Sequence, residues 1–151
     1  MWYHIIMKLE DILESWSKDA NYDDLNLDQD SLAISSLHAK YIQILAVERS
    51  LLRSCMAKKK ALYKDLREYY LGSLNNPDDL ERMNREPFLH KVLKNEVHNY
   101  VDSDDELMKL DNRIAMQEEK VETLTSIIKT IHQRGYDIKN AIEWRKFTNG
   151  F

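Results

Sequence analysis

A chain of 151 residues with 43% apolar content is long enough for one hydrophobic core and too short for two independent ones, so a single domain over residues 1–151 is expected. Only 3 Gly and 2 Pro against 32% charged residues exclude a turn-rich β architecture and predict an all-α fold of long helices. The lone Cys55 excludes an internal disulfide, and the net charge of -4 argues against nucleic acid only if charge is summed over the chain.

Residues 1–6 carry neither a basic segment nor a long apolar run, and nowhere do some eighteen apolar residues occur together, so neither a signal peptide nor a membrane span is expected. The lone cysteine favours a reducing compartment, and a cytoplasmic setting is expected. Met7 opens a cleaner helical pattern, and residues 1–6 read as an N-terminal extension. Leu9, Ile12, Leu13 and Trp16 fall at i, i+3, i+4 and i+7, which predicts a short amphipathic helix over Lys8 to Ser17. Residues 7–30 hold 2 basic and 8 acidic groups. The polar stretch from Asn21 to Asp30 suits a loop, with Asp30 or Ser31 as the N-cap of the next helix.

From Ser31 to Leu71 there is no Gly or Pro, and Gly72 is placed to end the helix. At 1.5 Å per residue this helix is roughly 60 Å long, too long to be buried all round in a small domain. Residues 31–72 hold 8 basic and 3 acidic groups, the reverse of the preceding segment, as expected where one element faces a polyanion. Projected at 100° per residue from Arg49, the cations Arg53, Lys60, Lys64 and Arg67 all lie within about 60° of it on one side. Leu37, Ile44, Leu51, Cys55, Leu62 and Leu66 project to the opposite side, between about 200° and 260°, while Tyr63 and Tyr70 border the two. A cation stripe without acids, flanked by rings, suits single-strand binding: the cations neutralise phosphates and the rings offer stacking. A solvated face selected only for solubility would mix signs.

Residues 73–95 read as a surface insertion, with Asn75-Asn76-Pro77-Asp78 as a helix start. Val97 to Val101 is compatible with a helix or a short strand. Residues 73–120 carry 7 basic and 12 acidic groups. Ser103-Asp104-Asp105-Glu106 has the form of a capping box opening a second long helix to Arg134. In it Leu107, Ile114, Val121 and Ile128 repeat every seven residues, with Leu110, Gln117, Leu124 and Ile131 three places later: a coiled-coil seam with one polar interruption. Gly135 is expected to break that helix and Asp137 to cap a last one, whose apolar side is Ile138, Ala141, Ile142 and Phe147. The whole predicts two long helices with shorter N- and C-terminal helices in an oligomeric helical assembly.

Enzymatic readings find no support. His4, His38, His90, His98 and His132 lie at no metal-ligand spacing, and no Gly-rich phosphate loop is present, so neither a metal nor a nucleotide cofactor is expected. Cys55 falls on the apolar side, where a thiolate would be desolvated. Glu118 and Glu119 diverge by about 100° and form no acid-base pair.

Met7-Lys8-Leu9-Glu10-Asp11, Lys64 with Glu68-Tyr69-Tyr70-Leu71-Gly72, Arg134-Gly135-Tyr136-x-Ile138-Lys139 and Arg145-x-Phe147-x-x-Gly150 occur in an order and spacing that resembles the UvsY family of phage recombination mediators. The resemblance covers most of the chain from Met7 onward and is weakest over residues 73–95. It implies a protein of the phage-infected bacterial cell that binds single-stranded DNA, forms a ring of six or seven subunits, and contacts a RecA-like recombinase and a single-strand-binding protein. It implies no catalytic residue. The family's DNA-binding stretch, Lys-x-Arg-Leu-Asp-Tyr-Tyr, reads here Lys64-Asp65-Leu66-Arg67-Glu68-Tyr69-Tyr70, so Lys64, Tyr69 and Tyr70 carry over while the arginine is displaced from position 66 to 67. The expected DNA-binding set is Arg49, Arg53, Lys60, Tyr63, Lys64, Arg67, Tyr69 and Tyr70. The resemblance associates residues 136–151 with oligomerisation, through Ile138, Ala141, Ile142 and Phe147. A coiled-coil adaptor without a nucleic-acid role is the alternative that the heptads would equally support.

Overall fold

The structure, a computed structural model, describes residues 7–21, 23 and 25–150; the N-terminal extension, with His4, lies outside the described residues. Five helices follow in order: α1 (Leu9–Asp19), α2 (Leu27–Tyr70), α3 (Pro77–Met83), α4 (Val97–Asp102) and α5 (Asp105–Thr148). Among the described residues there is no strand, so Val97 to Val101 is helical. The two 44-residue helices α2 and α5 each contribute to two compact units, one of residues 1–50 with 117–151, the other of residues 51–116.

In the first unit Ile12, Tyr41, Leu45, Leu124, Ile127 and Ile131 form the core, with Trp16, Ile34, Leu37 and Val121 packed against it. The helical spacings found in the sequence bring these side chains to one face of each helix, where removal of apolar area from water supplies the main stabilisation. The polar interruption at Gln117 has a partner. Its side-chain amide donates to the buried Glu48 carboxylate and, at 2.9 Å, to the Glu48 carbonyl, while Lys120 stands 3.5 Å from the same carboxylate. A buried charge met this way has its hydrogen-bonding needs answered, and a single polar layer holds the helices in one register. Arg134, also buried, donates to the carbonyls of Asp19 (3.0 Å) and Ala20, which the end of α1 leaves without helical partners.

The second unit is built around Leu66, Val97, Val101 and Leu107, covered by Leu62, Tyr63, Tyr70, Met83 and Val92. Gly72, with φ +80°, ends α2: the Ser73 amide returns to the Glu68 carbonyl at 2.9 Å, a backbone path that needs the left-handed region. Residues 73–95 belong to this unit. Asn76 caps α3 by accepting from the Asp79 amide at 2.8 Å, Pro77 takes the first helical position, and Leu80 is buried.

Three local expectations are corrected. Helix α2 starts at Leu27, four residues before the predicted Ser31, because Asp23, Asn26 and Asp30 hydrogen-bond among themselves and organise the turn ahead of it. Helix α5 is capped by Asp104, whose carboxylate accepts from the Glu106 amide at 3.0 Å; the Ser103 hydroxyl instead donates back to the Asn99 carbonyl at the end of α4. Gly135 does not break α5, which runs unbroken to Thr148. Buried Ile131, Arg134 and Ile138 continue the seam across it, and their burial outweighs the roughly 1 kcal/mol that an interior glycine costs.

Candidate nucleic-acid interface

The stretch Lys64-Asp65-Leu66-Arg67-Glu68-Tyr69-Tyr70 separates cleanly into inward and outward side chains. Leu66 and Tyr69 are buried, at 0% and 8% exposure, and Tyr70 is half-buried, whereas Lys64 and Arg67 are exposed. One turn of helix thus anchors itself in the core and presents its cations to solvent. This accounts for the displaced arginine: position 66 points into the core of the second unit, so a cation belongs at 67.

Arg53 and Lys60 are exposed on the same part of α2, and Arg49 is exposed in the first unit. Among the described residues, none of these five cations has a carboxylate within 4.0 Å. The nearby acid Asp65 faces Arg82 at 4.0 Å, which also pairs with Asp79, and Lys59, off the stripe, is matched by Asp111 at 2.7 Å. The stripe's positive charge is therefore not neutralised by a carboxylate among the described residues.

The tyrosines expected to stack on bases are placed otherwise. Tyr69 donates its hydroxyl to the Glu86 carbonyl at 2.7 Å, and its ring lies against Tyr70 and Phe88 with centroids 5.1 and 5.7 Å away. Tyr70 sits 4.9 Å from Phe88 and 5.7 Å from Tyr100. Tyr63 is half-buried against the second core. Tyr69 is thus packed in the core, while Tyr63 and Tyr70 keep part of their rings exposed. Tyr69 projects to about 200° from Arg49, inside the apolar arc, so helical periodicity already assigns it to the core.

A charged network clamps this end of α2. Arg85 makes a two-pronged contact with Asp104 at 2.7 and 2.8 Å, reaches Glu106 at 3.2 Å and lies over the Tyr69 ring; Tyr70 donates to Asp104 at 2.7 Å. Burial alone would raise the Asp104 carboxyl, but the Arg85 guanidinium and the Tyr70 phenol hold it below the usual range. Burial and then the Asp104 charge push the Tyr70 hydroxyl up to about 12, and Arg85, hydrogen-bonded to Asp104, is raised as well. At ordinary pH all three keep the protonation states that the network needs. No short-range pattern marks Arg85: it lies outside any periodic segment, and only the fold brings it to Asp104.

At the C-terminal end, Ile138, expected between subunits, is buried at 2% exposure within its own chain, because it follows Ile131 by one heptad on an unbroken helix. Ala141 and Ile142 are half-buried. Phe147 is 76% exposed, as is its neighbour Trp144 at 65%, which the sequence reading overlooked although an i, i+3 aromatic pair shares a helix face. Their rings stack with centroids 5.9 Å apart.

Among the described residues, no three His, Cys, Asp or Glu side chains converge as a metal site, and no helix is long and apolar enough to cross a membrane. A family model described as "Recombination, repair and ssDNA binding protein UvsY" matches residues 15–151. No curated protein sequence matches the chain. Crystal structures of the bacteriophage T4 recombination mediator protein UvsY share the fold. One crystal form gives a TM-score of 0.82 at 22% identity, covering 95% of this chain and 98% of that one. A second gives 0.81 at 21% identity, covering 93% and 99%.

Proposed function

The chain belongs to the UvsY family of recombination, repair and single-stranded-DNA binding proteins, and from that premise we propose that it is a non-enzymatic recombination mediator that grips single-stranded DNA through the α2 cation stripe. The carrying observation is that Arg53, Lys60, Lys64 and Arg67 are exposed and lack carboxylate partners among the described residues, on a helix that Leu66 and Tyr69 anchor in the core of the second unit. Arg49 extends the set. Each cation that neutralises a phosphate releases a condensed counterion, so binding is salt-sensitive and blind to base sequence. With Tyr69 buried and Tyr70 half-buried, electrostatics carries most of the affinity and stacking the smaller share.

Mediation follows from many weak grips. Subunits assembled through the C-terminal element, in a ring of six or seven as the family resemblance implies, would present several stripes to one strand, and the avidity would hold it. A strand held in this way by its backbone can exchange a single-strand-binding protein for a RecA-like recombinase. No nucleotide is consumed by this chain; ATP use belongs to the recombinase. The heptads no longer favour a coiled-coil adaptor, because the α5 seam is spent inside the chain: Leu107 in the core of the second unit, Leu124 and Ile131 in that of the first.

Lys64→Glu with Arg67→Glu tests this reading. Both side chains are exposed, so the melting curve should move by no more than about 0.5 kcal/mol. Fluorescence anisotropy with a labelled oligodeoxynucleotide should show an affinity loss of at least about tenfold at moderate salt and a shallower salt dependence, with each lost phosphate contact reducing the slope by roughly 0.7. Unchanged affinity would remove the stripe from the DNA path.

A further inference from the structure

Within the second unit, Lys58 and Leu62 of α2 and Glu106, Lys109, Leu110 and Arg113 of α5 line an open groove of about 310 Å³. Its floor is the half-buried pair Leu62 and Leu110, and its rim is the exposed cations Lys58, Lys109 and Arg113. The one acid in the lining, Glu106, is engaged by Arg85 at 3.2 Å, and the adjacent Asp111 by Lys59 at 2.7 Å. The three rim cations have no carboxylate within 4.0 Å among the described residues. An apolar floor inside a positive rim fits an apolar side chain flanked by carboxylates.

The chain itself carries such an element. Leu25 is 85% exposed on a turn in which Asp23 accepts from the Leu25 amide at 2.9 Å and from the Asn26 side chain at 2.7 Å, and Asp30 accepts from the Asp23 amide at 2.8 Å. Asp28, three positions along the chain, is exposed. The exposed leucine is thus flanked along the chain by the carboxylates Asp23, Asp28 and Asp30, and the hydrogen bonds that Asp23 accepts from the Leu25 amide and Asn26 lower the entropy lost on docking. We propose that the Leu25 turn of one copy docks in the Lys58, Lys109 and Arg113 groove of a second copy, leucine on the Leu62 and Leu110 floor and carboxylates against the cationic rim. The contact joins two different surfaces, so it is heterologous, and repeated around a closed rotation it builds a ring. It rests on the self-association proposed above, and is separate from the Trp144 and Phe147 element.

Two full-length chains in a Cys55→Ser background, one Leu25→Cys and the other Leu110→Cys, are mixed and mildly oxidised, and wild type is sedimented in parallel. A disulfide between residues 25 and 110 of different chains, identified by mass spectrometry, is the expected result. Lys109→Glu with Arg113→Glu, surface changes that leave the core intact, should raise the concentration for half-assembly at least tenfold. If wild type assembles but no such disulfide forms and the charge reversal leaves assembly unchanged, the docking is wrong and self-association stands. If the reversal weakens oligonucleotide binding without affecting assembly, the groove belongs to nucleic acid and the docking is overturned. A wild type that sediments as a single chain overturns both.

Discussion

Asp104 joins three elements through one carboxylate: it accepts from Tyr70 at the end of α2, from Arg85 beyond α3, and from the Glu106 amide in the first turn of α5. Since Arg85 and Tyr70 hold its carboxyl below the usual range against the opposing effect of burial, the folded state prefers the charged form more than the unfolded chain does. The resulting stability is fully present above the ordinary aspartate value of about 3.9 and is lost as pH falls through the depressed folded value. Asp104→Asn keeps the shape and removes the charge, leaving the mostly buried Arg85 with only the exposed Glu106 carboxylate at 3.2 Å. Urea denaturation should show a loss of about 3 kcal/mol at neutral pH and a weaker decline of stability in acid than in wild type. A variant as stable as wild type at neutral pH would mean that the network does not support the fold.

Helix α5 shows how burial overrides local cost. The position where a Gly135 Cβ would stand is 3.8 Å from Ile34 Cδ1, ordinary van der Waals contact, and its φ is not positive. Gly135→Ala should therefore fit and stabilise the protein by about 0.5–1 kcal/mol through restored helix propensity. A lower thermal midpoint would show that Ile34 cannot accept the methyl. The same helix marks what the sequence makes legible. Its heptads locate Leu107, Ile114, Leu124 and Ile131 as buried residues, and Gly72 and Asn76-Pro77 mark real ends, because these signals are set by periodicity and backbone geometry. Gly135 misleads because a single glycine is a modest penalty that flanking isoleucines repay, and Ser103 because either neighbour satisfies the capping pattern and packing selects Asp104. The outward cations of the candidate site follow from the helical projection. Arg85 does not, since nothing local announces a partner nineteen positions away.

At the scale of the whole molecule, the cation stripe and the stacked Trp144 and Phe147 near the end of α5 are both turned to solvent. Apolar rings exposed at 65% and 76%, stacked on each other beyond Ile138, the last buried residue of α5, are the kind of patch that marks an interaction surface, and we propose that another subunit covers it. Replacing both with Ser tests this. Neither ring is part of the core around Ile12, Tyr41 and Leu124 or of that around Leu66 and Leu107, so circular dichroism and the melting temperature should hold, while sedimentation should show smaller particles. Ile138→Asp makes the contrast, because that side chain is 2% exposed and a carboxylate there would cost several kcal/mol, roughly, and unfold the first unit. Loss of assembly without unfolding in the ring variant should also weaken oligonucleotide binding by at least about tenfold, because a single stripe forgoes the avidity of linked sites. An unchanged particle size would assign the rings to another partner and leave assembly to other surfaces. A smaller particle with undiminished affinity would show instead that one stripe suffices for binding, and that assembly serves the exchange of proteins on the strand.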